Sequence, residues 1–292
     1  MQLQDGKYLK KMKVLSEYYN TNTPNAIMNV INPSIHPLFL YLATRGVDST
    51  IIYRYSGDRF YTHRVVKPWQ KPINYLVNNM VGRLSLLVGD KFVTLGPNGT
   101  SRLERRNINT SNVVELPPTF DETRFNDTRS TTPIHIEGKT VLFVGRLSYL
   151  KGRRSIEKVI PKVVDSDPTF NFVFIGEILE KLDIPERYND NVHYVGPVEP
   201  DHVVDFYNAA DVLIQPSLSE GFGRTVPEAL LCGVPVIARD VGEMPKLTNN
   251  IFNTDEELCS MVLNHQGLPL DNADHLLRSN QRESHLEFFE SL

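Results

Sequence analysis

The sequence predicts an α/β fold in which parallel sheets are flanked by helices. Short apolar runs rich in β-branched and aromatic residues end in glycine or proline, as in residues 139–147 (KTVLFVGRL) and 171–177 (NFVFIGE). Segments with the apolar spacing of helices alternate with these runs. The runs are also apolar throughout, which is typical of strands covered on both faces and therefore of parallel sheets.

The C-terminal half shows this alternation most clearly. Its predicted strands are residues 139–147, 171–177, 191–198, 211–217 and 235–240, and its predicted helices are residues 152–164, 200–210 and 225–232. Ligands of parallel sheets bind beyond the carboxyl ends of the strands. We therefore expect a binding site in the loops that follow Val144, Ile175, Tyr194, Ile214 and Ile237.

The N-terminal half repeats the pattern over a shorter length. Its predicted strands are residues 25–32, 49–58, 91–97 and 112–118, and its predicted helices are residues 35–46, 73–90 and the segment LKKMKVLSEYY. Residues 117–139 are rich in Pro, Thr, Asp and Asn without a sustained period, which indicates an interdomain linker. We expect a first domain at residues 1–119, a linker at 120–138 and a second domain at 139–275.

Length and composition narrow the class of protein. The chain has 292 residues, of which 40% are hydrophobic and 23% charged, and two domains fit that length. A formal net charge of −4 gives no basic footprint for nucleic acid. Two cysteines, Cys232 and Cys259, are too few for a disulfide framework and indicate a reducing compartment. The sequence lacks a signal-peptide core and a membrane-spanning apolar run, so a cytoplasmic location is expected.

A cluster of cations lies in the segment VGRLSYLKGRRSIEKVI, between a predicted strand that ends at Gly145 and a predicted helix that opens at Gly152. Its members are Arg146, Lys151, Arg153 and Arg154. Cations are disfavoured at a helix N-terminus, because the helix dipole is positive there. A bound anion such as a phosphate would explain the arrangement. A solvated charged loop is the alternative, and the spacing alone leaves both open.

The segment SLSEGFGRTVPE carries two glutamates, Glu220 and Glu228. Glu228 has a structural explanation, because Thr225 and Glu228 fit a capping box. Gly221 and Gly223 fit a turn, and they also allow backbone amides to approach a diphosphate. Glu220 has no capping role just beyond the end of a strand. Carboxylates in such places accept hydrogen bonds from sugar hydroxyls.

Residues 141–247 resemble the nucleotide-binding domain of the retaining glycosyltransferases of family 4, whose GT-B architecture has two Rossmann-like domains. SEGFGRTVPEALLCGVPVIA matches the E-x7-E motif of that family and the GxPV segment that follows it. VGRLSYLKG matches its phosphate-binding GRL…KG segment. The combination is far more specific than a lone glycine pattern.

The resemblance implies a role for each matching residue. Arg146 and Lys151 would hold the donor diphosphate, Glu220 would contact the transferred sugar, and Glu228 would bind the ribose hydroxyls. The implied catalytic residues are Glu220, Arg146 and Lys151. The implied donor-binding residues are Gly145, Arg146, Lys151, Glu220, Gly221, Phe222, Gly223, Arg224, Thr225 and Glu228.

The resemblance implies transfer without a metal or cofactor, because the two cations would stabilise the leaving diphosphate. The Asp165-Ser166-Asp167 triplet resembles the metal-binding Asp-x-Asp of a different glycosyltransferase architecture. It stands before Pro168, and a turn explains it better. The histidines do not show metal-ligand spacing.

Three departures from the family pattern concern loops. The family's Gly-Gly-x-x-Glu element reads VGEMPKL here, with Glu243 and Lys246 at its second Gly and its Glu. The N-terminal domain lacks the glycine-rich loop of the family, since only Gly6 and Gly46 occur in the first 46 residues. In YRYSGDRF, Ser56, Gly57 and Asp58 stand where members often carry a His near the reacting sugar.

The N-terminal domain is therefore expected to be incomplete. A fragment, a misassigned start and a naturally shortened relative all remain open. A shortened sheet would expose apolar edges and need a protein partner. The resemblance also predicts that the C-terminal helix, residues 276–292, packs Leu286, Phe288 and Phe289 near the domain junction.

The implied function is transfer of a sugar from a nucleoside-diphosphate donor to an acceptor hydroxyl with retained configuration. The acceptor could be a polysaccharide, a lipid-linked oligosaccharide or a glycoprotein glycan, and a peripheral position on the cytoplasmic membrane face is an open variant. One alternative is an inactive nucleotide-sugar-binding subunit that acts through a partner. A sugar-nucleotide epimerase is less favoured, because the E-x7-E match points to transferases.

Overall fold

The computed structural model describes residues 8–22, 24–31, 42–44, 46, 48–56, 68–81, 86, 89–127 and 136–292. The chain divides into two compact units, Met1–Pro117 with Glu283–Leu292, and Pro118–Arg282. Each unit contains a parallel sheet accompanied by helices, as the sequence predicts.

The sheet of the first unit has four strands in the spatial order β1-β2-β3-β4. The strands are β1 (Ala26–Ile31), β2 (Thr50–Tyr55), β3 (Lys91–Thr94) and β4 (Val113–Glu115), and all neighbours are parallel. The helical segments with described bounds are Tyr8–Asn22, Pro68–Gln70, Lys71–Tyr75, Leu76–Val81, Pro97–Glu104 and Thr110–Asn112. The four predicted strands are confirmed. Most of the predicted helix at 35–46, and Gly57 with Asp58, lie outside the described residues.

The sheet of the second unit has six strands in the order β10-β9-β8-β5-β6-β7. The strands are β5 (Lys139–Val144), β6 (Phe170–Ile175), β7 (Val192–Gly196), β8 (Val212–Gln215), β9 (Val236–Arg239) and β10 (Ile251–Phe252). The helices are Arg153–Ser166, Val203–Asn208, Thr225–Leu231, Met244–Leu247 and Asp255–Leu263, with 3-10 turns at Tyr149–Lys151, Glu186–Asn191, Pro200–His202, His265–Gly267 and Asp274–Leu276. A last helix, Arg278–Glu290, begins in this unit and continues into the first. The five predicted strands are confirmed, and β10 is an addition.

The core of the second unit anchors strand β6 and the helix that follows β5. Strand β6 is buried at every position, as expected for a strand covered on both faces. Helix Arg153–Ser166 packs Ile156, Val159, Ile160 and Val163 into this core at the spacing of one helix face. Each such side chain contributes roughly 1.5–3 kcal/mol by burial. The loops that lead into this helix are therefore anchored by its inner face.

The first part of the expected linker is packed rather than extended. Phe120 is 1% exposed, its N–H donates to the carbonyl of Leu276 (3.0 Å), and its own carbonyl accepts from the N–H of Arg278 (2.8 Å). Phe125 is also buried. Residues 118–127 thus belong to the second unit, while residues 128–135 lie outside the described residues.

The C-terminal helix Arg278–Glu290 is present, but only one of its three expected anchors is buried. Phe288 packs with Ile52, Val93 and Leu116 of the first unit. Leu286 and Phe289 are 48% and 55% exposed, so the expectation that both pack was wrong. Leu286 and Phe289 are two residues before and one residue after Phe288, so they do not share its face of the helix.

Candidate functional site

The strand order of the second sheet reverses between β5 and β8, which are neighbours in space but not in sequence. Chain connections leave such neighbours toward opposite faces, so a crevice opens beyond their carboxyl ends. The loop after β5 contains the GRL…KG segment, and the loop after β8 contains the first glutamate of the E-x7-E motif. The reversal therefore brings the two sequence motifs to one place.

Backbone contacts hold these two loops against each other. The N–H of Leu218 donates to the carbonyl of Leu150 at 2.9 Å. Gly152 has a φ of +86°, and a Cβ there would lie 2.1 Å from the carbonyl oxygen of Pro216. Only glycine fits this approach, because any other residue is strained at that φ and collides with backbone. Gly152 thereby places Lys151 beside Glu220.

Glu220 is held through one carboxylate oxygen. Its Oε1 accepts from the Nζ of Lys151, from the Nε2 of Gln215 (2.8 Å) and from the Oγ of Ser217 (2.9 Å). Gln215 and Ser217 are 2% and 0% exposed. Hydrogen bonds to an ionised group are about twice as strong as neutral ones. Three donors on one oxygen fix the carboxylate, and Oε2 has no hydrogen-bond partner among the residues described.

Gln215 links this carboxylate to the following helix. Its Nε2 also lies 3.2 Å from the Oγ of Ser217, and its Oε1 accepts from the Oγ1 of Thr225 at 3.3 Å. Sequence reasoning did not single out Gln215 or Ser217. A signal was available, because Gln215 is the polar residue of an otherwise apolar strand, VLIQ, and a buried polar side chain needs partners.

Glu228 lies in a different environment from Glu220. Its Oε2 accepts from the hydroxyl of Tyr207 at 2.9 Å, and its Oε1 lies 3.7 Å from the Nε of the exposed Arg224. Burial raises the pKa of Glu228, although the Tyr207 hydrogen bond and the nearby Arg224 oppose the shift. Burial and the adjacent carboxylate raise the pKa of Tyr207 well above its usual value. Tyr207 is fully buried and was not anticipated from the sequence.

The capping box expected at Thr225 and Glu228 is absent. The residue before helix Thr225–Leu231 is Arg224, whose φ of −52° and ψ of −31° are already helical, and no side chain caps the helix. Thr225 and Glu228 bond to Gln215 and Tyr207 instead. A capping box does form at Thr254 and Glu257, where both reciprocal bonds are present.

The cation cluster separates into members with different partners. Arg153 forms ion pairs with Glu157 (2.8 Å) and Glu180 (3.2 Å). The guanidinium of Arg154 lies 5.3 Å from the ring centre of Tyr149. Arg146 is exposed and has no ion-pair partner in the described parts of the chain. Gly145, which precedes it, has a φ of +146° and donates its N–H to the carbonyl of Ile175 at 2.8 Å.

The loop between the two glutamates packs on the VGEMPKL segment. The carbonyl of Gly221 accepts from the N–H of Glu243 at 3.1 Å, and a Cβ on Gly242 would meet that carbonyl at 2.5 Å. Gly223 has a φ of +73° and lies against Met244. Phe222 is buried. Because the contact of Glu243 with Gly221 uses backbone, the departure from the family at this position leaves it intact.

The two carboxylates of the Asp165-Ser166-Asp167 triplet are paired with protein side chains. Asp165 accepts from the hydroxyl of Tyr188, and Asp167 forms an ion pair with Lys139 at 2.7 Å that lowers the pKa of Asp167 to about 2. Among the described residues no group of three or more His, Cys, Asp and Glu could hold a metal ion. No described helix combines the length and the apolar character that crossing a membrane requires.

Comparison with protein families matches residues 125–253 to the family described as Glycosyl transferases group 1. The chain is similar to the D-inositol 3-phosphate glycosyltransferase of Acidothermus cellulolyticus, with 38% identity over 121 residues, which are 37% of this chain and 27% of that relative. It is also similar to the phosphatidylinositol N-acetylglucosaminyltransferase gpi3 subunit of Schizosaccharomyces pombe, with 34% identity over 113 residues, or 37% of this chain and 25% of that relative. The matched segments thus cover 27% and 25% of these curated relatives.

Solved structures match nearly the whole chain. Sucrose-phosphate synthase from Thermosynechococcus elongatus superposes with a TM-score of 0.79 at 18% identity, covering 97% of this chain and 77% of that protein. Anabaena Alr3699/HepE in complex with UDP and glucose superposes with a TM-score of 0.70 at 17% identity, covering 100% of this chain and 84% of that protein. These likenesses show that the fold is that of the GT-B glycosyltransferases.

Proposed function

We propose, from the premise that residues 125–253 form a glycosyl transferases group 1 domain, that the protein transfers a sugar from a nucleoside-diphosphate donor to an acceptor hydroxyl with retained configuration. The observation that carries the proposal is the meeting of Lys151 and Glu220 at the reversal of the second sheet. A cation for a diphosphate and a carboxylate for a sugar are the two groups that such a donor requires. The HepE structure, which holds UDP and glucose, supports the same ligand class.

Lys151 and Arg146 take the role of binding the diphosphate and stabilising the charge that develops on it as it leaves. The transition state is oxocarbenium-like, and attack on the front face is assisted by the leaving phosphate. Lys151 forms an ion pair with Glu220, so the donor diphosphate competes with that carboxylate for the ammonium group. The chain needs no metal for this step, and excess chelator is expected to leave the rate unchanged.

The two glutamates take different parts of the donor. Gln215 and Ser217 hold Oε1 of Glu220, which leaves Oε2 to accept a hydroxyl of the transferred sugar. Tyr207 holds Oε2 of Glu228, which leaves Oε1 to accept the ribose hydroxyls. Gly145 and the loop of Gly221, Phe222, Gly223, Arg224 and Thr225 present backbone to the sugar and phosphates.

The first test is the affinity for a nucleoside diphosphate, chosen by a thermal-shift panel of UDP, GDP and ADP. Lys151→Ala and Arg146→Ala each remove a charge-assisted contact, so calorimetry should show affinity about tenfold lower or weaker. Lys158→Ala is the matched control, because Lys158 lies on the adjoining helix and pairs with Asp255. Undiminished affinity in both site variants would contradict the diphosphate assignment.

The second test separates the glutamates. Glu220→Gln should lower the rate of transfer without lowering nucleoside-diphosphate affinity, because its proposed contact is to the sugar and its loss ends the competition for Lys151. Glu228→Gln should lower the affinity itself, and that loss should vanish with a nucleotide whose ribose lacks both hydroxyls. A loss of affinity in Glu220→Gln equal to that in Glu228→Gln is the opposing result.

The second candidate is a nucleotide-sugar-binding subunit without transfer activity that acts through a protein partner. It is favoured by one relative, the gpi3 protein, whose name describes a subunit. Nucleotide binding that persists without transfer from any donor would select this candidate. Under either candidate we propose a cytoplasmic location and a polysaccharide, lipid-linked or glycoprotein acceptor.

A further inference from the structure

One guanidinium group joins the two loops that carry Lys151 and Glu220. Arg239 is the last residue of β9, and its side chain is 17% exposed. Its Nη2 donates to the Oγ of Ser155 at 2.7 Å, and its Nε donates to the carbonyl of Pro216 at 3.3 Å. Ser155 lies in the helix after β5, and Pro216 lies in the loop after β8. One side chain therefore spans both sides of the strand reversal.

Ser155 connects the guanidinium to the turn that carries Lys151. Ser155 is 7% exposed, and its N–H donates to the carbonyl of Gly152 at 3.0 Å. Gly152 directly follows Lys151, and its own N–H donates to the carbonyl of Tyr149 at 3.1 Å. A donor that holds the hydroxyl of Ser155 thus also restrains this turn, and with it the backbone of Lys151.

The contact with Pro216 reaches the carboxylate of the pair. The carbonyl of Pro216 belongs to the peptide that joins it to Ser217, and the hydroxyl of Ser217 donates to the Oε1 of Glu220 at 2.9 Å. This carbonyl also faces Gly152 at the close approach described above. A donor on the carbonyl fixes the plane of that peptide and so the place of Ser217. The guanidinium therefore acts on both members of the ion pair.

Arg239 is itself anchored on its other side. Its Nη1 donates to the carbonyl of Asn253 at 3.2 Å, and its Cζ lies 4.7 Å from the ring centre of Phe252. Its Nη2 lies 3.6 Å from the Oδ1 of Asp255, whose other oxygen pairs with Lys158. The planar fork of arginine can bond to several acceptors in fixed directions, which a lysine cannot do. A cation near the start of a helix opposes the helix dipole, so helix stability alone does not explain this side chain.

We propose that Arg239 is a positioning residue of the donor site, which fixes the turn of Lys151 and the loop of Glu220 at one separation. This role rests on the proposed function and deepens it, because Arg239 acts on the donor through these two loops. A remote charge that only raises the local positive potential would act equally well from a lysine. A guanidinium that acts through its fork would not.

The first experiment needs no donor. Chemical denaturation of the parent, Lys151→Ala, Glu220→Gln and the double variant gives the coupling between the two residues as a ratio of unfolding constants. In the Arg239→Lys background, which keeps the charge and loses the fork, that coupling should fall at least about threefold. Ser155→Ala removes the acceptor on the helix side and should lower the coupling too, which keeps the role testable if Arg239→Lys does not fold.

Lys139→Met is the matched control background. Lys139 pairs with Asp167 at 2.7 Å, and its Nζ lies 4.8 Å from the ring centre of Phe170. Arg239 likewise combines an ion pair with an aromatic ring. Lys139 stands at the amino end of β5, at the opposite end of the parallel strands. Its replacement should leave the coupling measured in the first experiment unchanged.

The second experiment measures affinity for the nucleoside diphosphate selected by the thermal-shift panel. By calorimetry, Lys151→Ala should lower the affinity about tenfold in the parent, and at least about threefold less in the Arg239→Lys background, because Lys151 is then no longer held in place. A role of Arg239 that is purely structural or purely electrostatic would leave the effect of Lys151→Ala equal in both backgrounds.

A coupling between Lys151 and Glu220 that is absent in the parent, or equal in the parent and in Arg239→Lys, would overturn the proposal. A loss of coupling as large in Lys139→Met as in Arg239→Lys would do the same, since it would reflect a general loosening of the sheet. So would an equal and measurable effect of Lys151→Ala on affinity in both backgrounds. If Lys151→Ala leaves the affinity of the parent undiminished, the diphosphate assignment fails instead, and the first experiment still decides the role of Arg239.

Discussion

The two sheets are both parallel, yet their strand orders differ. The sheet of the second unit reverses between β5 and β8, whereas the described strands of the first unit follow one another in sequence order. Right-handed crossovers between sequential neighbours leave toward the same face, so their loops cover one another. At a reversal the loops diverge and leave a crevice.

The side chains at the carboxyl ends reflect this difference. In the first unit Thr100, in helix Pro97–Glu104, links the two strand ends: its hydroxyl lies 2.9 Å from that of Thr94 in β3 and donates to Glu115 in β4 at 2.6 Å. In the second unit Lys151, Gln215 and Ser217 converge on one oxygen of Glu220. Both sheets place a hydrogen-bonded carboxylate at a strand end, but only that of the second unit lies at a reversal. Strand order, more than residue type, decides where a ligand can enter.

The largest expected effect is that of Gly152→Ala. Its Cβ would meet the Pro216 carbonyl at 2.1 Å, so the variant should lose about 3 kcal/mol in the free energy of unfolding, by chemical denaturation. Gly196→Ala is a matched control, since its φ of +85° is nearly the same and no atom lies within 4 Å. That control should lose about 1 kcal/mol from backbone strain alone. Equal losses would mean that the two loops are not in contact.

Next in size is Gln215→Leu. It removes a buried amide that bonds to Glu220 and Ser217, and should cost about 2 kcal/mol together with most of the transfer rate. Asn171→Leu removes another buried amide, near the amino end of β6, with bonds to the Glu137 and Thr169 carbonyls. The control should lose similar stability and keep transfer per folded molecule. Equal loss of transfer in both would reduce Gln215 to a structural role.

A smaller effect concerns the pH dependence of stability. The folded pKa of Glu228 is raised by burial above its unfolded value, so its contribution is complete below the unfolded pKa and is lost as pH rises through the folded pKa. Glu228→Gln removes this loss. As pH rises above the unfolded pKa of Glu228, the variant should therefore gain stability relative to the parent.

Tyr207→Phe provides the control for that titration. It deletes a hydrogen bond that lowers the pKa of Glu228, so in this variant the loss of stability should extend to higher pH than in the parent. Melting curves across this pH range measure both variants. A gap between Glu228→Gln and the parent that narrows with rising pH would contradict the assignment.

The smallest effect is expected for Glu115→Gln, the counterpart of Glu220→Gln in the first unit. Glu115 is exposed at the end of β4 and accepts only from Thr100 in the bonds described. Its replacement should change stability by less than about 0.5 kcal/mol and leave nucleotide affinity and transfer unchanged. A tenfold loss of affinity in this variant would show that the first sheet also carries a donor contact.

Nine strands were predictable, because a short apolar run bounded by glycine or proline indicates a strand without any knowledge of its neighbours. The spatial order of those strands was not, since periodicity carries no information about which strands pair. Strand β10 (Ile251–Phe252) was missed because two residues are too short for a pattern. The prediction of an α/β fold with two parallel sheets therefore succeeded, while the pairing of β5 with β8 had to come from the structure.

The site was predictable only in part, because local patterns do not show which tertiary partners a side chain will have. The T-x-x-E pattern occurs at Thr225 and at Thr254, yet only Thr254 forms a capping box. At Thr225 the tertiary partners Gln215 and Tyr207 capture the same side chains, and these partners lie 10 and 21 residues away in sequence. Local patterns located Glu220 and Lys151, but they gave no sign of the buried groups that orient the glutamates, which lie 3 and 5 residues from Glu220 and 21 residues from Glu228.

The hydrogen bond from Leu218 to Leu150 also shapes how this region opens to solvent. The amide of Leu218 exchanges its hydrogen only when the loop after β8 separates from the loop after β5. Because Gly152 packs directly on Pro216, that separation also disturbs the turn that holds the amides of Lys151 and Gly152. The amides of both motifs should therefore exchange as one cooperative unit with a common opening free energy. Through this coupling, motifs about 70 residues apart in sequence behave as a single element of local stability.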